Sequence, residues 1–82
     1  MSEGRFYIDG ELHLTVELVA EIYQVRSVWL REVCECGLLG GVVSDESLCI
    51  AAVQLDRVAA IVRLGQGWGL DLETIALVLE ER

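Results

Sequence analysis

Cys34, Cys36, Cys49 and His13 are the thiol and imidazole groups of this 82-residue chain. A structural zinc site takes four such ligands, with about two to four residues between paired cysteines. Cys34 and Cys36 have one residue between them, and His13 is the single histidine. The sequence therefore predicts no metal centre. An odd number of cysteines without an export signal predicts reduced thiols. Glu32 and Glu35, beside those thiols, would raise their pKa rather than activate them. His13 has no nucleophile partner at a recognisable spacing. Gly65-Gln66-Gly67-Trp68-Gly69 lacks the preceding strand and the Lys-Ser/Thr pair of a phosphate loop. No catalytic constellation emerges, and the expectation is a non-enzyme without a cofactor.

Carboxylates dominate what remains. Fourteen acids stand against six arginines and no lysine, a net charge of −8. Nucleic-acid binding draws most of its affinity from neutralised phosphates. The arginines, Arg5, Arg26, Arg31, Arg57, Arg63 and Arg82, are dispersed rather than clustered. An acidic surface confers solubility and also selects basic partners.

The elements that must carry these groups follow from periodicity. One domain over residues 1–82 is expected from the length. Asp9-Gly10, between Phe6-Tyr7-Ile8 and Glu11-Leu12-His13, predicts a tight type I′ hairpin. Thr15 is placed to cap a helix from Val16 to about Gln24, with Leu18, Val19 and Ile22 inward and Glu17, Glu21 and Gln24 outward. Ser27 caps a second helix to about Cys36, with Leu30, Val33 and Cys34 inward, ended by Gly37. Val42-Val43 and Leu48-Cys49-Ile50, around a polar Ser44–Ser47 tip, predict a small β wing. A third helix spans about Ala52 to Leu64, with Leu55, Val58, Ile61 and Val62 inward and Gln54, Arg57 and Arg63 in solvent. Asp71 caps a last helix, Leu72 to about Glu81, apolar nearly all round. Such a helix buries two faces or shares one with another chain. Its Leu72, Ile75, Leu77, Val78 and Leu79 are the candidate oligomer interface.

Helix, turn, helix, Gly-Leu-Leu, wing and further helices resemble the winged-helix head of the MerR family. The residues are Ala20, Gln24-Val25, Ser27, Leu30-Arg31 and Gly37-Leu38-Leu39, where the family pattern has Gly at the position of Gln24. The later segment is similar to the CbpM-type chaperone modulators within that group. It carries Asp56-Arg57-Val58, Arg63-Leu64, Gly69-Leu70 and Ile75 to Leu79. Leu14-Thr15 into Glu17-Leu18 matches too. The resemblance covers about Ile8 to the C-terminus. It implies an all-α fold with a minor β wing, a MerR-like winged helix-turn-helix of about four short helices. It also implies a partner, the J-domain of a DnaJ/CbpA-type co-chaperone, whose basic helix face otherwise meets Hsp70 (DnaK). The expected contacts are Glu17, Glu21, Glu32, Glu35, Asp45 and Glu46, with Trp29 either an apolar anchor or packed under the wing or against Tyr23, since periodicity does not place a residue at a stripe edge. Trp68 is expected as a lid over the core. DNA-reading relatives place a base where this chain has Glu35 and bases in the wing where it has Asp45-Glu46, so DNA is disfavoured. A MerR-like DNA regulator and a dimerising interaction subunit remain the alternatives. The chain has no run long and apolar enough to span a membrane, and MSEGRFYIDG lacks the apolar stretch of a signal peptide. A cytoplasmic location is expected.

Overall fold

Thr15 ends a strand and starts a helix without an intervening loop. Its N–H donates to the Gly4 carbonyl (2.8 Å), and its hydroxyl oxygen accepts the Leu18 N–H (3.1 Å). The computed structural model describes residues 4–80. Within them the elements are β1 (Arg5–Ile8), β2 (Glu11–Thr15), α1 (Val16–Tyr23), α2 (Ser27–Glu35), β3 (Gly41–Ser44), β4 (Ser47–Ala51), a 3-10 turn (Ala52–Gln54), α3 (Leu55–Val62), a π-helical turn (Arg63–Gly67) and α4 (Leu72–Glu80). Met1 to Glu3, the predicted end of the last helix at Glu81, and Arg82 lie outside the described residues.

The all-α expectation is overturned. The four strands form one antiparallel sheet in the order β1-β2-β4-β3, and the described residues are 55% helical and 23% strand, so the fold is mixed α and β. Both hairpins occur where the sequence places them. What joins them is β2 pairing with β4, His13 opposite Ala51, Leu14 opposite Ile50 and Thr15 opposite Cys49. That pairing is cooperative with burial: Leu14 and Ile50 share a face and both enter the core. A strand with one buried face has its register specified by that face.

The two hairpin turns use the same backbone. Asp9 and Gly10 have φ of 53° and 82°, and Asp45 and Glu46 have 53° and 62°. The wing tip is thus a two-residue turn, with Ser44 and Ser47 paired as strand ends rather than forming part of the loop. A type I′ turn requires positive φ at both central positions, which matches strand twist.

The core draws on every helix: Val16, Val19 and Ala20 from α1, Leu30 and Val33 from α2, Val58 and Ile61 from α3, and Ile75 from α4. Ile22, expected inward, is about half exposed (51%). The inward stripe of α1 runs Val16, Val19, Ala20 and Tyr23, one step round the helix from the predicted one, because Thr15 in the sheet fixes the helix rotation. The second helix begins one residue earlier than expected. Arg26 holds its N-cap position without a side-chain bond, and Ser27 is the first helical residue. Gln24 closes α1 in the left-handed region at φ 59°, where the resembling pattern has glycine. Its neighbour's N–H, from Val25, returns to Ala20 O at 2.9 Å. This six-to-one closure is the Schellman bond that satisfies an end carbonyl.

Candidate functional site

Glu17 and Glu21 lie one turn apart on α1, and they line the same cleft. Gly4, Phe6, Thr15, Leu18 and Ser47 complete it, and its volume is about 320 Å³. The strand register puts Phe6, Thr15 and Ser47 on one face of the sheet. The cap at Thr15 swings the first turn of α1 over that face. The result is an open groove with an apolar wall, Phe6 and Leu18, and an acidic rim. Like charges at i and i+4 repel by a few tenths of a kcal/mol, so the rim is complementary to a cation.

One cation already reaches it. Arg31 of α2 donates through Nη2 to Glu17 Oε2 at 2.6 Å, the one ion pair among the described residues. Both side chains remain open to solvent (41% and 59%), and such pairs contribute little to stability. Asp45 is exposed at the β3–β4 turn. Burial pushes the Cys49 thiol up, and the Glu17 and Asp45 charges push the same way. Cys34 is raised by burial first, with Arg31 opposing and Cys36 and Glu35 reinforcing. Neither thiol is activated, and Cys36, exposed, hydrogen-bonds to Val33 O at 3.3 Å. His13 is buried in the sheet, with Nδ1–H donating to Glu11 O at 3.0 Å. Among the described residues no group of three His, Cys, Asp or Glu side chains is placed to hold a metal ion.

The structure therefore brings Glu17 and Glu21 to one cleft, and Asp45 is exposed at the β3–β4 turn two residues from Ser47 of its lining. Glu35 and Glu32 are exposed on α2. Glu35 follows Arg31 by one turn, whereas Glu32 lies about 100° further round the helix from Arg31. Glu46 is exposed at the hairpin turn.

Of the two tryptophans, Trp29 takes the packed alternative and Trp68 departs from its expected place. Trp29 is half-buried and packs into the core's edge. A Cβ added at Gly65 would come within 2.6 Å of Trp29 Cζ2 and 3.3 Å of Ile75 Cδ1. Glycine at 65 thus lets the π turn lie directly on the indole, and Trp29 is not a free anchor. Trp68, expected as a lid, is 73% exposed. The π turn, closed by Trp68 N–H to Arg63 O at 3.0 Å, carries it outward.

Gln54 and Arg57, expected in solvent, hold the segment between α2 and the wing. Gln54 accepts from Gly40 N–H (3.1 Å) and donates to Gly40 O (3.0 Å). Arg57 Nε donates to Leu38 O at 2.7 Å. Nothing in local periodicity marks these bonds, since their partners lie 14 and 19 residues away.

Among the candidate oligomer residues, Ile75 is fully buried in the chain's own core and has no surface to share. Leu72 and Leu79 are half-buried against that core. Leu77 and Val78 face outward, 60% and 42% exposed. No helix among the described residues is long and apolar enough to cross a membrane.

No known family, curated protein or solved structure matches this chain.

Proposed function

We propose that this chain is a protein-interaction module of the chaperone-modulator kind. In this reading it binds the basic helix of a DnaJ/CbpA-type J-domain through the acids of α1 and the wing, and so controls that domain's access to Hsp70. The observation that carries it is the disposition of charge on the helix-turn-helix. Glu17 and Glu21 line one cleft, Glu17 and Asp45 both act on the Cys49 thiol, and Arg31 is bound to Glu17. A DNA reader needs unpaired cations on the second helix and wing. Here those places hold Glu32, Glu35, Asp45 and Glu46, and Arg26, exposed at the N-cap of α2, is a lone cation among them. Complementary charge raises the on-rate and selects the partner, with apolar contacts adding affinity.

Isothermal titration against the J-domains encoded in the same genome, at two salt concentrations, tests it. Saturable binding that weakens with salt is the expected result. A flat trace with all of them would overturn the reading.

A homodimer through α4 is a second reading, favoured by the outward Leu77 and Val78. Light scattering that gives a monomer mass at every concentration removes it.

A further inference from the structure

We infer that the cleft between α1 and the sheet is a receptor for one arginine side chain from a basic helix, and that Arg31 is its internal competitor. The inference deepens the proposed function and rests on it for the identity of the partner, though not for the chemistry of the cleft.

Two observations converge, the shape and lining of the cleft and the ion pair at its rim. The cleft, at about 320 Å³, holds on the order of ten waters at about 30 Å³ each, room for one long side chain. Its lining divides into apolar surface, Phe6 and Leu18, suited to a methylene stem, and two carboxylates, Glu17 and Glu21, suited to a guanidinium. A guanidinium is already bound at the rim, because Arg31 sits 2.6 Å from Glu17 from outside the cleft's own lining. Arginine is favoured over lysine because its planar fork engages carboxylate oxygens in pairs. Binding an incoming arginine relieves the repulsion between Glu17 and Glu21 and competes with Arg31 for Glu17. Arg31 therefore sets the affinity from within the fold.

The test uses two probes. One is the J-domain, titrated calorimetrically against the wild-type chain, Glu21→Gln and Arg31→Gln. The other is a helical peptide with arginines at i and i+4, followed by the amide shifts of Phe6, Leu18 and Ser47. Expected are about tenfold weaker J-domain binding for Glu21→Gln, tighter binding for Arg31→Gln, and peptide-induced shifts that Glu21→Gln abolishes. Circular dichroism on each variant confirms that it folds. Unchanged J-domain affinity in Glu21→Gln overturns the cleft and leaves the J-domain reading standing. Cleft shifts with the peptide, without J-domain binding, overturn the J-domain reading and keep the cleft. Failure of both probes overturns both.

Discussion

Two sides of this molecule use their polar groups in opposite ways. On the seam where α3 and the π turn meet α2, the side chains are committed to the fold. Arg57 holds Leu38, Gln54 holds Gly40 from both ends, and Gly65 accommodates Trp29. On the side where α1 meets the sheet, the carboxylates are exposed to solvent, and a single arginine reaches Glu17. The Gln54–Gly40 bonds are exposed, but the carbonyl of buried Leu38 would be penalised by desolvation without its partner. Exposed carboxylates carry no such penalty and can be kept for a partner. The comparison separates stability from recognition: variants on the seam change folding, and variants at the cleft change binding.

The sharpest way to break that division is Gly65→Val. A branched side chain there meets the indole and Ile75, and overpacking should cost about 3 kcal/mol. Urea denaturation measures it. A loss below a few tenths would mean that Trp29 is free to move aside and that the seam is loose. Arg57→Ala comes next. It removes a charged donor from a partly buried carbonyl, at about 2 kcal/mol. Both variants, once folded, should bind a J-domain with unchanged affinity. A parallel loss of affinity would show that recognition extends to the seam.

Smaller effects refine the contrast. Gln24→Gly relieves a side chain at φ 59° and should raise stability by about 0.5–1 kcal/mol, with thermal melting as the measure. Glu46→Gly at φ 62° should do the same in the wing, but it also removes an acid. Should its affinity for the J-domain fall while its melting temperature rises, Glu46 is a residue retained for binding at the expense of the fold.

The mildest effect is that of pH on α4. Asp71 accepts the Thr74 N–H at 2.8 Å, and its bonds with Thr74 hold its carboxyl below the ordinary value of 3.8. A depressed folded pKa means that the contribution is complete above the unfolded value and lost as pH falls through the folded one. Asp71→Asn should therefore narrow its stability difference from wild type as the pH drops below 3.8. A difference constant over that range would show that the cap does not depend on charge.

Local chemistry was legible in the residues. Asp9-Gly10 makes its hairpin, Thr15 and Asp71 make their caps, and the first, second and last helices fall close to their predicted spans, because each depends on neighbours within about four residues; the third, expected from Ala52 to Leu64, is α-helical only over Leu55–Val62 between a 3-10 and a π turn. The acids of α1 were legible as a pair for the same reason: Glu17 and Glu21 are one helical turn apart. Tertiary structure decided the rest. The pairing of β2 with β4 turned an expected all-α protein with a small wing into a mixed fold, and no local pattern encodes which strands meet. Which of its two alternatives Trp29 takes followed from a close approach at Gly65, 36 residues away in sequence. Ile22 faces outward because Thr15, held in the sheet, sets the rotation of α1. The cleft itself exists only where that rotation brings Glu17, Leu18 and Glu21 over Phe6 and Ser47. Sequence alone determines charge, caps and turns, which are local energies. Which surfaces face each other is a choice among non-local contacts, and the packed chain makes it.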